Sequence, residues 1–426
     1  MAAFRRRPIR NLLIFWLFVL SAVAYLDRTN LSIAGPQIMR EYGLNDIRLG
    51  WIMSAFLLGY AGSQVLAGWA AVRLGPRRAL ALGALWWGVF TAGTALVPTK
   101  LGEALSLLIG VRFALGIGEA IIYPASNQFV ARWIPACERG RVNGVIFAGV
   151  GAGAGLTPPL LTGIIATCGW RAAFWFSALV GVLVGGVWFF MARDTPEEHP
   201  RMSPEELRAI RIGLRGEAVK TPVPWLAIVR SQTVGLLTFS SFCFGYMAWI
   251  FLGWFYLYMV EARRVDLKSS AMYAMLPFLA MTTFCLIGGV VNDWVTSRYG
   301  LRAGRCGPAL FTLLLGAGFL MLGSRAASPA AAAIILALGA GALYLSQSSY
   351  WSVTADIAGP HSGVVSAVMN MGGQIGSAVT ASMTPWLASH FGWTTSFFAA
   401  ALFGVAGALA WFGVDPETKL RPENWD

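Results

Sequence analysis

Residues 11–32 read NLLIFWLFVLSAVAYLDRTNLS, an apolar run that carries Asp27 and Arg28 side by side. A helix of about 20 residues crosses the hydrocarbon core of a bilayer, so this run is long enough to span a membrane. A charged side chain at that depth is costly, and it usually faces a partner, a cavity or a ligand. The run therefore predicts a membrane protein and places its functional site near the first helix.

The composition of the whole chain agrees with this prediction. Of 426 residues, 57% are hydrophobic, 12% are charged and 49 are glycine, values typical of helical proteins that cross the bilayer several times. The net charge of +12 could suit a nucleic acid, but the basic residues form no patch with interleaved aromatic residues, so we expect no nucleic-acid partner. The five cysteines lie far apart without CxxC spacing, so neither a disulfide framework nor a metal site is predicted.

Twelve apolar segments of suitable length can be counted along the chain. The first six fall near residues 11–34, 47–71, 78–98, 102–125, 140–165 and 171–193, and the second six near 231–260, 269–295, 305–325, 329–355, 361–388 and 392–414. The sequence thus predicts an all-α polytopic membrane protein with twelve transmembrane helices in two six-helix bundles. The bundles would comprise residues 1–193 and 231–426, joined by a linker, residues 194–230.

The distribution of basic residues predicts the orientation of these helices. Of the 32 lysines and arginines, 22 fall in termini and loops on one side of the predicted helices, 8 fall on the other side and 2 lie within helices. Loops that remain in the cytoplasm are enriched in lysine and arginine. We therefore expect a multi-pass protein of the bacterial inner membrane with both termini in the cytoplasm.

The linker contains a predicted helix of its own, in the segment SPEELRAIRIGL. Ser203 suits the N-cap position, Pro204 the first helical position and Glu206 the third, as in a capping box. The sequence predicts a short amphipathic helix on the cytoplasmic surface, which we interpret as a solvated connector.

Four charged residues lie deep in the predicted helices of the first bundle. On the first helix, Arg28 and Tyr25 share a face while Asp27 points about 100° away, so Arg28 can face a central cavity and Asp27 a neighbouring helix. On the fourth helix, in RFALGIGEAIIYPASNQ, Arg112 and Glu119 lie two turns apart on one face. The pattern gives two sets of opposite charges on two helices.

Two interpretations of these charges compete. In the functional one, an arginine binds a carboxylate through two parallel hydrogen bonds, and a buried carboxylate carries a proton. In the structural one, the charges form ion pairs that only fix the first helix to the fourth. Apolar packing would fix the helices without the cost of desolvating charges, which favours the functional interpretation.

A repeated segment follows the second helix of each predicted bundle. GWAAVRLGPRR spans Gly68 to Arg78, and GVVNDWVTSRYGLRAGR spans Gly289 to Arg305. This pattern resembles the signature of the major facilitator superfamily, a glycine followed four residues later by aspartate and then by arginine, glycine and a basic pair. The second copy has Asp293 at the acidic position and the first has Val72, a departure that puts in doubt the usual charge-based latch on that side.

A closer resemblance rests on YLDRTNLS in the first helix, RFALGIGEA in the fourth, GWRAAFWFSALVG entering the sixth and DTPEEHP after it. These segments are similar to the anion:cation symporter family, which includes bacterial sugar-acid carriers and vesicular glutamate and sialic-acid transporters, and the resemblance runs from the first helix to the twelfth. It implies proton-coupled symport of organic anions. It also implies that Arg28 binds the substrate carboxylate, that Asp27 and Glu119 take up protons, and that Arg112 is the basic partner of this acidic pair.

Other polar residues can complete a substrate pocket: Tyr60 and Gln64 on the second helix, Tyr350 and Trp351 on the tenth, and Asn370 and Gln374 on the eleventh. The resemblance implies a substrate-contacting tyrosine at Tyr60 and, as in sugar-acid members, a substrate-binding asparagine at Asn370. Amides and hydroxyls suit the several hydroxyl groups of an aldonate or uronate. Each of these residues can instead hold helices together.

Several conspicuous segments receive structural interpretations or stay open. The glycine run GVGAGAG, residues 149–155, lacks the lysine and strand of a phosphate-binding loop, and we expect it to permit close helix contact. Asp356 is expected to be a solvated helix end. Tyr246, Trp249 and Trp254 on the seventh helix can line the cavity or form an aromatic belt.

Other classes of function can be weighed against symport. A membrane enzyme is disfavoured, since the three histidines lie in loops or at helix ends and no helix shows a metal or nucleophile constellation. A sensor would share the fold but drive no proton flux. In the superfamily that the chain resembles, a proton-exchange exporter would carry a glycine-proline motif on the fifth helix, which GVGAGAGLTPP matches only loosely.

We therefore expect a proton-coupled importer of an organic anion. A sugar acid (aldonate, uronate or aldarate) is preferred to an aromatic or dicarboxylic acid. The protein would work as a monomer in the lipid bilayer, by alternating access of two rocking bundles. Protons would be the coupling ion, and no metal or cofactor is expected.

Overall fold

A computed structural model describes residues 9–44, 46–99, 103–214, 223–255, 258–259, 262–265 and 267–420. We number the α-helices of this part of the chain α1 to α16. The first seven are α1 (Ile9–Tyr42), α2 (Asp46–Leu74), α3 (Pro76–Leu96), α4 (Ala104–Glu119), α5 (Ile122–Trp133), α6 (Arg139–Cys168) and α7 (Trp170–Met191). Two short helices follow in the linker region, α8 (Pro204–Gly213) and α9 (Trp225–Arg230). The last seven are α10 (Gln232–Trp249), α11 (Leu267–Tyr299), α12 (Leu301–Ser324), α13 (Pro329–Leu345), α14 (Gln347–Ala358), α15 (Ser362–Phe391) and α16 (Trp393–Ala410).

Eleven helical runs among the described residues are long and apolar enough to cross a membrane. Ten of them match predicted helices one by one. The other, residues 329–391, has 63 residues, which is roughly three times the length that a single crossing needs. This run turns at Gly359, whose φ of +48° favours glycine, and it contains the predicted tenth and eleventh helices. The predicted fold class is confirmed.

One predicted crossing is interrupted near its middle. The fourth helix was expected to be continuous over residues 102–125, but α4 ends at Glu119 and α5 begins at Ile122. Pro124 has no backbone N–H to donate to the carbonyl of Ala120, which weakens the helix there. The tenth crossing is also interrupted, at Ser346 between α13 and α14. The first interruption leaves Glu119 at a helix end inside the molecule.

The ends of the helices are joined by polar contacts on the side that carries the linker, which we call the linker side. Arg10 at the start of α1 forms an ion pair of 2.9 Å with Glu138 before α6. The backbone N–H of Arg77, at the start of α3, donates to Asp194 after α7 at 2.9 Å. These contacts place the start of α1 and the loops rich in basic residues on one side. The linker side is therefore the side predicted to face the cytoplasm.

The predicted linker helix is present as α8. Ser203 caps it by accepting a hydrogen bond from the backbone N–H of Glu206 at 3.1 Å, as predicted. The carboxylate of Glu206 departs from a capping box, because it accepts from the backbone N–H groups of Ile9 and Arg10 at 3.3 Å each. Glu206 thereby fixes the linker to the first helix. Elsewhere in the linker, burial lowers the pKa of His199, whose ring accepts a hydrogen bond from the backbone N–H of Arg201.

The glycine-rich part of α6 packs closely against α11, as the sequence predicts. A Cβ atom on Gly144 would lie 2.4 Å from the carbonyl oxygen of Cys285, and one on Gly151 would lie 2.6 Å from that of Phe278. Cβ atoms do not come this close to backbone atoms in real structures, so α6 and α11 can approach this closely only because these positions are glycine. The expectation that the glycines permit close helix contact is confirmed.

Replacing Gly144 with alanine is expected to destabilise the protein by about 1–3 kcal/mol, because the added methyl group must push α6 and α11 apart. Gly163→Ala on the same helix is the matched control, since a Cβ atom there meets nothing within 4 Å. Thermal unfolding in detergent should show a lower Tm for Gly144→Ala than for Gly163→Ala. Equal Tm values for the two variants would contradict the close contact.

Candidate functional site

A cavity of about 540 Å³ lies between helices α1–α7, which we call the first helix set, and helices α10–α16, which we call the second helix set. Its volume suits a small organic molecule. Seven of the predicted site residues line it: Tyr25, Arg28, Arg112, Tyr350, Trp351, Asn370 and Gln374. Both of its arginines come from the first helix set, whereas the described residues of the second set contribute amides, hydroxyls and aromatic rings. The cavity is therefore cationic on one wall and neutral on the other.

Arg28 is the guanidinium held most firmly at the cavity. Its Nε donates to Glu119 Oε2 at 3.0 Å. The rings of Tyr60, Tyr25 and Phe56 surround the guanidinium, with centroids 4.4, 4.8 and 5.5 Å from Cζ, distances that favour cation–π attraction. These contacts orient Arg28, and the side chain keeps 15% of its surface exposed. An anion in the cavity can therefore reach it.

Arg112 also lines the cavity but has a different environment. Its guanidinium lies 5.3 Å from the ring centroid of Phe56. Its Nε and Nη1 atoms are buried and find no hydrogen-bond partner among the described residues, although Asp27 and Glu119 are close enough to attract it. The resemblance implied that Arg112 pairs with the acidic residues, yet the ion pair with Glu119 is made by Arg28.

The two deep carboxylates lie behind the arginines. Asp27 and Glu119 are 2% and 1% exposed, and neither lines the cavity. Glu119 is presented at the end of α4, where Gly116 allows the helix to approach α2: a Cβ there would lie 2.2 Å from the carbonyl oxygen of Phe56. The structure thus brings all four predicted charges together, with the arginines at the cavity and the carboxylates behind them.

Asn370 links the two helix sets at the edge of the cavity. Its Nδ2 donates to Gln64 Oε1 at 3.2 Å and reaches the Tyr60 hydroxyl at 3.5 Å. Gln64 and Tyr60 belong to α2 and do not themselves line the cavity. Asn370 is therefore the member of this trio that a substrate can contact, and such contact would compete with its bonds to α2.

The aromatic residues predicted for the pocket divide into two groups. Trp351 lines the cavity and packs on Tyr123 and Phe147 of the first set at 5.7 and 4.9 Å. Tyr350 also lines it, but its hydroxyl is bonded to Ser240 at 2.7 Å, which leaves mainly the ring for contact.

The positions of the three aromatic residues on the seventh helix show which of them line the cavity. Trp249 and Trp254 line the cavity. Tyr246 is fully buried and stacks on Phe403 at 4.3 Å. Only the two tryptophans are therefore available to a substrate.

Among the residues of the cavity wall that the sequence reasoning missed, Phe56 and Gln347 are the most informative. Phe56 lies beneath both arginines, one helical turn before Tyr60, and this spacing was a usable signal. Gln347 lines the cavity at the first position of α14. It follows the interruption at Ser346, which gave no recognised signal in the sequence.

Hydrogen bonds and ion pairs close the cavity on the linker side. Asp356 on α14 accepts from Arg139 of α6 at 2.5 Å and from Arg305 of α12 at 2.9 Å. Asp356 is 1% exposed, so the expectation of a solvated helix end was wrong. Its two partners lie 217 and 51 residues away in the sequence, and folding is needed to bring them together.

A second contact on the linker side comes from the repeated segment. Asp293 accepts hydrogen bonds from the backbone N–H groups of Gly140 and Arg141 at 2.8 and 2.6 Å. These N–H groups lie at the start of α6, where a carboxylate is favoured by the helix dipole. The second copy of the repeat thus binds the start of α6 in the first helix set. Val72, at the matching position of the first copy, has no charge with which to form an equivalent contact.

Replacing Asp356 with asparagine is expected to destabilise the protein by about 3–5 kcal/mol, since Arg139 and Arg305 would remain buried without their shared carboxylate. The control is Asp415→Asn, which removes a carboxylate whose hydrogen bonds among the described residues are to its own turn, at Glu417 and Thr418. Thermal unfolding should separate the two variants clearly. A Tm for Asp356→Asn equal to that of Asp415→Asn would show that the network does not stabilise the fold.

Comparisons with known proteins agree with this geometry. The sequence profile of the Major Facilitator Superfamily matches residues 17–381 and 352–426. A probable sulfoacetate transporter of Cupriavidus necator is 34% identical over 97% of this chain and 95% of its own. A hexuronate transporter of Bacillus subtilis is 28% identical over 94% of this chain and 92% of its own. Among solved structures, a proton:xylose symporter of the same superfamily has a TM-score of 0.74 at 16% identity, covering 97% of this chain and 98% of that one.

These matches confirm the resemblance inferred from the helix-one and helix-four segments. The relatives found along nearly the whole chain are anion transporters, and the structural match shows that the fold is shared. The protein is a multi-pass membrane transporter and not an enzyme. The chain belongs to the Major Facilitator Superfamily.

Proposed function

We propose that this protein is a proton-coupled symporter that imports a small organic anion, with a sugar acid as the preferred substrate. One observation carries the proposal: Arg28 faces the cavity and at the same time pairs with Glu119 at 3.0 Å. An anionic substrate and an ionised Glu119 therefore compete for the same guanidinium.

This competition provides a mechanism for coupling. When Glu119 takes up a proton, it no longer neutralises Arg28, and the guanidinium can bind a carboxylate with two hydrogen bonds. Asp27 lies close to Glu119 and Arg112, so its protonation removes a second negative charge from behind the cavity. Protonation from outside thus favours anion binding, and release of the protons inside favours anion release. Protons are the coupling ion, and no other cofactor is required.

The neutral wall of the cavity supports a polyhydroxylated substrate. Asn370, Gln374 and Gln347 offer amides that can both donate and accept hydrogen bonds. The hydroxyl groups of an aldonate, uronate or aldarate can engage this wall while the carboxylate engages Arg28. One relative is named a hexuronate transporter, which is consistent with this class.

A small dianionic acid is the second candidate substrate class. The observation that favours it is Arg112, which places a second guanidinium at the cavity. One relative is named a probable sulfoacetate transporter, which is consistent with a compact dianion.

The orientation follows from the basic residues. Because 22 of them lie on the linker side and 8 on the other, we place the linker and both termini in the cytoplasm of a bacterial cell, with the protein in the inner membrane. The contacts around Asp356 and Asp293 then close the cytoplasmic side. We propose that the functional unit is the monomer.

Uptake of labelled acids into proteoliposomes tests the proposal. The panel comprises aldonates, uronates, aldarates, sulfonated acids and aromatic acids, each with and without an inward proton gradient. Gradient-driven accumulation of a sugar acid is the expected result. Accumulation of a dianion alone would favour the second class, and accumulation of none would contradict import of these anions.

A further inference from the structure

Several buried polar atoms without partners surround Asp27. Both carboxylate oxygens of Asp27, the hydroxyl of Thr91, Nε and Nη1 of Arg112 and Oε1 of Glu119 make no hydrogen bond within the part of the chain that the structure describes. Each of these four residues is at most 2% exposed. Leaving a buried polar atom without a partner costs about 1–3 kcal/mol, and more when it is charged. Such a concentration in one place indicates a ligand able both to donate and to accept hydrogen bonds.

Thr91 is the unexpected member of this group. It lies on α3, and its hydroxyl is close enough to interact with the carboxylate of Asp27. A threonine inside a helix ordinarily bonds the carbonyl oxygen four residues earlier. Thr94, one turn away, does so, donating to Phe90 at 3.1 Å. The Thr91 hydroxyl is not used in this way, which leaves it available to Asp27 and to a shared ligand.

The charges that act on Asp27 come from few elements. Glu119 and Arg112 on α4 face it, and its neighbour on α1, Arg28, is bonded to Glu119. The charged residues of α2, α3, α6 and α7 lie towards the ends of those helices, away from Asp27. Among the described residues, the groups that act electrostatically on Asp27 are therefore Arg112, Glu119 and Thr91.

The position of Asp27 creates a problem for proton entry. Asp27 does not line the cavity, whereas Arg112 does. An arginine keeps its proton in proteins and cannot relay one. A proton that reaches the cavity therefore needs another carrier to pass Arg112. A water bonded to Arg112, Thr91 and Asp27 would supply that carrier, since polar sites with several partners hold buried water.

We propose that Asp27, Thr91 and Arg112 bind a buried water that passes protons from the cavity to Asp27, with Thr91 as its positioning residue. This inference rests on the proposed proton coupling. The water accepts a proton from the cavity side while one of its own protons passes to the Asp27 carboxylate, so that the water is regenerated. The Thr91 hydroxyl orients this water and stabilises the ionised carboxylate.

The test is an infrared pH titration of the purified full-length protein in nanodiscs, without substrate. The C=O band of protonated Asp27 is identified by its absence in Asp27→Asn. Thr91→Val keeps the shape of the side chain and removes the hydroxyl, Thr91→Ser keeps the hydroxyl, and Thr94→Val is the matched control on the same helix. If Thr91→Val does not fold, Thr91→Ala removes the same hydroxyl.

We expect the midpoint of the Asp27 band to move to higher pH by about one unit in Thr91→Val, because loss of a donor favours the protonated acid. Thr91→Ser and Thr94→Val should titrate as the wild type does. A wild-type midpoint in both Thr91→Val and Thr91→Ala would overturn the inference, and so would an equal shift in Thr94→Val. A shifted midpoint in Thr91→Val with the Asp27 band forming at the wild-type rate after a drop in pH would also overturn it, because Thr91 would then act on the carboxylate directly and not through a water. Failure of proton-driven uptake would instead reject the proposed function, whatever the band does.

Discussion

Arg28→Lys is expected to reduce substrate transport by about 100-fold or more, even though it preserves the positive charge. The guanidinium of Arg28 uses Nε for Glu119 and is held among the rings of Tyr25 and Tyr60. A lysine ammonium is a compact point charge that cannot bond Glu119 and a substrate carboxylate through one rigid plane. Initial rates of uptake into proteoliposomes measure the effect.

Arg40→Lys is the matched control for this prediction. Arg40 lies on the same helix, and among the described residues its Nε donates to the exposed carbonyl of Pro36. Its replacement should leave uptake within about twofold of the wild type, as expected for an exposed position. Near-normal uptake by Arg28→Lys would show that positive charge alone suffices and would remove Arg28 from the proposed mechanism.

Glu119→Gln is expected to separate anion binding from proton coupling. The amide cannot ionise, so Arg28 loses its competing carboxylate and should bind substrate at least about tenfold more tightly at alkaline pH. The pH dependence of binding should become weaker, leaving only the part that comes from Asp27. Accumulation against a gradient should be lost, because protonation of Glu119 no longer releases Arg28 for the substrate.

Isothermal titration calorimetry at pH 6 and pH 8, together with uptake, measures both effects. Glu103→Gln provides the control, since Glu103 precedes the same helix and is exposed. Retention of gradient-driven accumulation by Glu119→Gln would place the coupling proton elsewhere. Weaker binding at alkaline pH would show that Glu119 supports the anion and does not compete with it.

The sequence predicted the helices well because a segment that crosses lipid must form its backbone hydrogen bonds within its own helix and must expose apolar side chains to the lipid. Length and hydropathy alone therefore locate most of the helices. The interruptions near Ala120 and at Ser346 were missed, since they depend on local hydrogen bonding more than on hydropathy. Pro124 was a visible signal for the first of them.

The charged residues of the site were named from the sequence, but their pairing was not. Arg28 and Glu119 are 91 residues apart, and the approach of α4 to α2 at Gly116 is what brings the fourth helix into place. The role of Asp356 was misjudged for a related reason. A carboxylate at a predicted helix end resembles a solvated one until folding supplies two distant arginines.

Proton movement that accompanies substrate tests the central claim most directly. Proteoliposomes are prepared without a proton gradient, a sugar acid transported by the wild type is added outside, and the external pH is followed with a sensitive dye. Symport predicts that the external medium becomes more alkaline as the acid enters, and that Glu119→Gln shows no such change. Uptake by the wild type without any change in external pH, or with acidification, would contradict proton symport.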